Sequence, residues 1–262
     1  MQKNGTSQIQ RPLAAVIMAA GKGTRMKDSS KAKVMYEVLG KPMVHYVVDL
    51  AKMLKASRVI VVVGYQCDTV IQYLQHSHPN VEIAVQAEQL GTGHAIMQAE
   101  AVLKDFTGDV VVLSGDVPLL TADSMQELID YHHQTAASAT ILTADFADPT
   151  GYGRIIRNSD GSVERIVEHK DATEEERQVK EINSGIYVFN GQKLFDGLKH
   201  ITPQNVQNEY YLTDVFGYFW SHQWKVSALK TMQVEEILGV NTVNQLNGIE
   251  EVLLKYKNGL SA

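Results

Sequence analysis

The sequence predicts an α/β fold built on a largely parallel sheet. Apolar, β-branched runs recur at 14–18, 58–63, 81–85 and 109–113, and stretches with helical spacing lie between them. That alternation is the pattern of βαβ units. The chain has 262 residues, 44% of them apolar, enough for one large core with a smaller lobe.

The first run, Leu13-Ala-Ala-Val-Ile-Met-Ala-Ala20, feeds directly into Gly21-Lys-Gly-Thr-Arg25, and Lys33 follows eight residues on. An apolar strand that opens into glycines and cations reads as an anion-binding loop. Its backbone N–H groups can close on phosphate oxygens while Lys22, Arg25 and Lys33 balance charge, so a nucleotide is the expected ligand. Two commoner glycine motifs fail. A dinucleotide fingerprint from Gly21 needs glycine at Met26, and a Walker A loop ending at Gly40-Lys41 needs glycine at Met35 and a hydroxyl at Pro42.

A helix over 42–54 places Met43, Val47, Leu50, Ala51 and Leu54 on one face, with Pro42 near its start, where a missing N–H costs least. A second helix covers 69–74. After the third strand, Gln86-Ala-Glu-Gln89-Leu-Gly91-Thr-Gly93-His94 supplies carboxamides, which carry the donors and acceptors that read a base edge. His94, followed by Ala95, Ile96 and Ala99, begins a packed helix rather than ligating metal. The fourth strand runs into Ser114-Gly115-Asp116, where a parallel strand delivers a side chain to a ligand crevice. Aspartates there cap turns or hold metals. With the loop upstream, Mg²⁺ bridging phosphates is the better account, because that ion takes few protein oxygens.

Thr121 is placed to cap a helix whose apolar face is Met125, Leu128 and Ile129. A strand follows at 138–146, and runs at 154–157 and 163–167 flank Asp160-Gly161, a hairpin signal. The charged stretch 171–180 reads as a solvated loop or short helix. Strand character returns at 182–189, an aromatic-rich helix is expected over 209–220, a short strand at 225–229, and a helix over 242–256. Residues 1–12 read as a flexible tail.

The formal charge of −6 argues against a nucleic-acid surface. One cysteine, Cys67, allows no internal disulfide and fits a cytoplasmic setting. No apolar run approaches the roughly 18 residues of a membrane span.

Several segments in one order, Gly21–Arg25 with Lys33, Gln86–His94, Gly115-Asp-Val-Pro118, Asp148-Pro-Thr-Gly-Tyr-Gly-Arg154, Glu168-His-Lys-Asp-Ala-Thr173, Glu181-Ile-Asn183 and Gly239-Val-Asn241, resemble the uridyltransferase domain of bacterial bifunctional N-acetylglucosamine-1-phosphate enzymes. The resemblance spans 13–241. It implies a Rossmann-like nucleotide-diphospho-sugar transferase fold, a mostly parallel sheet with helices on both faces and a small β-rich sugar-side lobe. By the same resemblance Ala20, Gly21, Gly23, Arg25 and Lys33 would bind the triphosphate, with Arg25 and Lys33 catalytic. Gln86, Gln89, Gly91 and Thr92 would read uracil, and Gly153, Glu168 and Asn183 would hold the amino sugar. Asp116 and Asn241 would ligate Mg²⁺. The implied reaction joins UTP and N-acetylglucosamine 1-phosphate into UDP-N-acetylglucosamine, a cell-wall precursor, and releases pyrophosphate.

Three departures accompany the match. Ala32 precedes Lys33 where many relatives carry proline, Ser114 stands where some carry tyrosine, and the sequence holds no six-residue β-helix period of an acetyltransferase half. The β-helix makes the trimer in those relatives, so a monomer or weak homo-oligomer is expected, with residues 242–262 forming a C-terminal helix and tail. Two rival readings stand beside this one: the same reaction with another nucleotide or hexose 1-phosphate, and a nucleotide-sugar sensor without catalysis.

Overall fold

The computed structural model describes residues 11–26 and 30–257. The elements run β1 (Leu13–Ala19), β2 (Glu37–Val38), β3 (Lys41–Pro42), α1 (Met43–Met53), β4 (Arg58–Val63), α2 (Cys67–Ser77), β5 (Glu82–Val85), α3 (Thr92–Met97) and β6 (Asp109–Ser114). They continue with α4 (Ala122–Thr135), β7 (Ala139–Asp145), β8 (Gly153–Arg157), β9 (Val163–Val167), α5 (Glu174–Arg177) and β10 (Glu181–Asn190). The last are α6 (Gly191–Leu198), α7 (Val215–Ser221), β11 (Val226–Lys230) and α8 (Val243–Lys257).

The main sheet has the order β11-β7-β10-β6-β1-β4-β5. β1 lies parallel to β4 and β6, β4 to β5 and β7 to β11, so the expected mostly parallel sheet is present. The exception is β10, antiparallel to both β6 and β7. Its register shifts between Asn183 and Tyr187, where Gly185 adopts φ +79°. Ahead of that irregularity, Asn183 pairs with Thr143 on one side and Gly153 on the other, so the β8–β9 hairpin hangs from the first half of β10.

Strand alternation sorts the core into two faces. Ala15, Ile17, Val61, Val63, Val111 and Leu113 pack against α1, α2 and α4. Ala14, Val16, Ile60, Val62, Val110 and Val112 pack against α3, α6 and α7. A third cluster joins Met26, Val38, Met43, Leu119 and Val240 to Ile249 of α8. The Leu39 N–H donates to Glu250 Oε1 at 3.2 Å, fastening α8 to the β2–β3 turn.

Most element expectations meet these bounds within a few residues, and Thr121 does cap α4, its Oγ1 accepting the Ser124 N–H. The helix expected over 209–220 is shorter. It begins at Val215, after a 3-10 turn over Leu212–Asp214. The backbone before it is claimed elsewhere: Tyr210 N–H donates to Leu90 O and Tyr210 O accepts from Gly93 N–H, both at 2.8 Å. Of the tail expected over 1–12, residues 1–10 lie outside the described residues, and Pro12 O accepts the Asp109 N–H at 2.9 Å. Among the described residues no helix is long and apolar enough to cross a membrane.

Candidate functional site

A cavity of about 580 Å³ opens at the carboxyl ends of β1, β5 and β6, the crevice position of open parallel sheets. Ala20, Gly21, Gly23, Arg25, Lys33, Gln86, Gln89, Gly91, Thr92, Asp116 and Asn241 all line it. Residues from four distant stretches thus meet around one space.

The loop after β1 is shaped by Gly23, at φ +61°. A Cβ there would stand 2.7 Å from Lys33 Cβ, so glycine lets the loop lie on the lysine stem. Met26 N–H donates to Gly23 O at 2.8 Å, and the Met26 side chain is buried in the third cluster, anchoring the turn. Ala32, where the resemblance expects proline, is itself fully buried with extended backbone ahead of the 3-10 turn Lys33–Met35. Packing fixes a φ of −61° there, close to the value a proline ring imposes.

At the mouth of the loop four polar side chains converge. Lys33 Nζ forms an ion pair with Asp116 Oδ2 and donates to Asn241 Oδ1 at 2.8 Å. Arg25 Nη2 donates to the same Asn241 oxygen, also at 2.8 Å. Asp116 sits two residues past β6, and its carbonyl accepts the Val240 N–H at 2.9 Å, which brings the segment bearing Asn241 onto the strand end.

That segment is held from both sides. Glu236, buried, accepts the Thr121 hydroxyl at 2.8 Å and the Thr121 N–H at 3.3 Å, tying the chain after β11 to the cap of α4. Beyond Asn241, Gln245 Oε1 accepts the Asn241 and Thr242 N–H groups while Thr242 Oγ1 accepts the Gln245 N–H, a reciprocal cap on α8. Tyr152, its hydroxyl pushed up in pKa by burial, hydrogen-bonds the Gly239 backbone.

On the opposite wall Gln86 is buried, and its Nε2 donates to Gly91 O at 3.0 Å and lies 3.1 Å from His94 Nδ1. Gln89 Nε2 donates to Gln86 O at 3.1 Å. Gly91 has φ +112°, and a Cβ on it would meet Tyr210 O at 2.5 Å. Thr92 Oγ1 accepts the Leu212 N–H at 3.0 Å.

Gly153, Glu168 and Asn183 form a separate group rather than lining this cavity. A Cβ on Gly153 would stand 3.4 Å from Asn183 Cβ and 3.5 Å from Glu168 Oε2, so the three are brought together. Glu168 is no surface charge. Burial holds its carboxyl above the usual range, and Thr213 Oγ1 donates to it at 3.0 Å. Asn183 donates to the Tyr187 hydroxyl at 2.7 Å, while its Oδ1 accepts the Gly185 N–H and so also shapes the irregularity in β10. The two groups adjoin. A Cβ on Gly185 would lie 3.5 Å from Ser114 Oγ, and Ser114 lines the cavity. The stretch from Glu209 to Thr213 runs from the Gly91 wall to Glu168.

Glu209 of the cavity wall, Thr213 and Tyr152 were not among the residues expected from the sequence. Tyr152 lay within a matching segment, so that signal was at hand. Glu209 and Thr213 fell inside the expected helix, and nothing in their spacing marks them.

A family model described as Nucleotidyl transferase matches residues 14–234. Proteins named Bifunctional protein GlmU are similar over most of the chain. That of Halalkalibacterium halodurans is 49% identical over 244 residues, 93% of this chain and 53% of the relative. That of Limosilactobacillus reuteri is 48% identical over 227 residues, 87% and 49% of the two chains, and that of Latilactobacillus sakei 50% over 244 residues, 93% and 52%. The chain spans about half the length of the curated relatives it matches. With a family match that covers β1 through the turn after β11 and encloses all of the cavity-lining positions but Asn241, the chain belongs to the nucleotidyl transferase family.

Proposed function

We propose that the chain transfers a uridylyl group from UTP to N-acetylglucosamine 1-phosphate, giving UDP-N-acetylglucosamine and pyrophosphate. The observation that carries this reading is the convergence of Arg25, Lys33, Asp116 and Asn241 at the mouth of a glycine-walled cavity. The similarity to the GlmU proteins supports the choice of substrates.

A sugar-phosphate oxygen attacks the α-phosphorus in line, forming one P–O bond as the bond to the departing pyrophosphate breaks. The nucleophile is already an anion, so no side chain must remove a proton. The barrier is charge repulsion and alignment. Arg25, Lys33 and the loop N–H groups hold the leaving pyrophosphate and offset its charge. Gln86, Gln89, Gly91 and Thr92 hold the base, and Gly153, Glu168 and Asn183 orient the amino sugar toward the α-phosphorus.

Asp116 and Asn241 each present a hard oxygen to one point, the place that the Lys33 ammonium takes in this structure. That donor set suits Mg²⁺, which these two residues would hold. When bound, the ion neutralises polyphosphate charge. The single cysteine and the phosphate-binding loop fit an enzyme of the cytoplasm that serves cell-wall precursor synthesis, with the catalytic unit spanning 13–241 and α8 buttressing it.

The test is a panel of four nucleoside triphosphates against several sugar 1-phosphates with Mg²⁺, read by pyrophosphate release. Turnover should be fastest with UTP and N-acetylglucosamine 1-phosphate. Turnover with GTP alone would defeat the uracil assignment, and tight UDP-sugar binding without pyrophosphate release would make the chain a sensor.

A further inference from the structure

Among the described residues one trio of metal-ligating side chains lies outside the cavity: His45 and Asp49 on α1 and His78 at the end of α2. One ligand atom from each falls within 4.8 Å of the others. His45 Nε2 is 3.2 Å from Asp49 Oδ2, and His78 Nε2 is 3.1 Å from Asp49 Oδ1. The i, i+4 spacing on α1 turns His45 and Asp49 to one side, and the chain leaving α2 brings His78 against them.

The other ring nitrogens are occupied. Ser77 Oγ donates to Tyr73 O at 2.8 Å, since a carbonyl can only accept. Its oxygen is then left to accept from His78 Nδ1, also at 2.8 Å. A neutral His78 with its proton on Nδ1 aims the bare lone pair of Nε2 at a carboxylate oxygen, two acceptors face to face. His78 is only 2% exposed, so this arrangement lies in the packing between α1 and α2. His45 Nδ1 is held by the Tyr73 hydroxyl at 2.9 Å. Its Nε2 points at the Lys41 ammonium, 2.8 Å away. A cation thus already stands at the edge of the trio, as Lys33 does between Asp116 and Asn241.

We propose that His45, Asp49 and His78 form a binding site for a divalent transition-metal ion of the zinc class, distinct from the cavity. Two imidazoles and a carboxylate with a fourth position open to water are a tetrahedral N,N,O set. Such a set prefers Zn²⁺ or Co²⁺ to Mg²⁺. Tyr73 and Ser77 are the outer partners that fix ring orientation. Access is from the Asp49 side, where 46% of the side chain is exposed. Lys41, on an exposed side chain, is the group an incoming ion displaces. A bound ion clamps α1 to the end of α2 beneath β1 and β4.

The experiment uses untagged, chelator-stripped protein in excess Mg²⁺, so that oxygen sites are filled, titrated with Co²⁺ by visible absorption and with Zn²⁺ by calorimetry. One Co²⁺ per chain should bind with the bands of a low-coordinate site, and Zn²⁺ should displace it and raise the melting temperature. Asp49→Asn, at a half-exposed position, should abolish the bands. Tyr73→Phe should weaken binding by roughly 10–100-fold. Lys41→Met should tighten it by removing the competing cation. Should His78→Gln fail to fold, Asp49→Asn and Lys41→Met still decide the matter. Absence of uptake would leave only a structural cluster of polar side chains and overturn the proposal, as would uptake unchanged in Asp49→Asn and His45→Gln.

Discussion

Gly91→Ala probes the wall opposite the phosphate loop. At φ +112° and ψ 174° Gly91 occupies backbone space that is open to glycine almost alone, and an alanine there carries about 1–3 kcal/mol of strain. Space is the second obstacle. The new methyl would stand 2.5 Å from Tyr210 O, 2.8 Å from Tyr210 N and 3.0 Å from Glu209 Cβ. These are mainly backbone atoms, so relief requires the strand of chain bearing Tyr210 to move. That movement gives up the Tyr210 to Leu90 and Gly93 to Tyr210 hydrogen bonds, each worth about 1 kcal/mol. The expected loss of stability is about 3–5 kcal/mol. Gly161→Ala is the control. Gly161 has φ +83° with nothing within 4 Å of a Cβ, so only the backbone term of about 1–2 kcal/mol applies. Urea melts of both variants read the difference, and steady-state rates should show a higher KM for UTP in Gly91→Ala alone. A Gly91→Ala protein as stable as Gly161→Ala, with an unchanged KM, would refute the reasoning.

Lys33→Ala removes a cation from the leaving group and should lower kcat by about 10²–10³-fold while the KM for the sugar phosphate changes little; a wild-type rate would dismiss the role. Glu236→Ala takes the acceptor from Thr121 and should cost about 1–3 kcal/mol and raise the Mg²⁺ concentration for half-maximal rate, whereas the exposed neighbour Glu235→Ala should leave both unchanged. Asp214, raised to about 6 by burial and then by Asp171, is harder to ionise folded than unfolded. Its contribution to stability is complete below its ordinary pKa of 3.8 and is lost as pH rises through about 6. Asp214→Asn should therefore gain stability over the parent when melts at pH about 7.5 are compared with melts at about 4.5. Because Asp214 also helps hold Glu168 up, the same variant should move the acid limb of the sugar-phosphate KM to lower pH.

Strand alternation makes the two faces of the sheet legible in the sequence, because Ala14 and Ala15 or Val110 and Val111 must point apart. The cavity wall was legible too, since glycines, carboxamides and an aspartate each follow directly on a strand. Partnership was not. Nothing in the apolar run of β10 says that it enters antiparallel between β6 and β7, because a buried strand reads alike in either direction. The helix expected over 209–220 misled for a related reason: Tyr210 and Tyr211 have helical spacing with the residues after them, but the backbone of Tyr210 is taken by Leu90 and Gly93. The trio His45, Asp49 and His78 needed the packing of two helices to come together, and only the first two share a local period.

The ammonium of Lys33 joins groups that lie 83 and 208 positions further along the chain. No fragment that stops short of Asn241 can close this contact, however well the early strands have paired. The loop bearing Lys33 is laid down first and waits for the segment that bears Asn241. On the function proposed above, turnover would report on the joining of these distant segments: a chain cut before Asn241 would lack the contact even with its sheet in place.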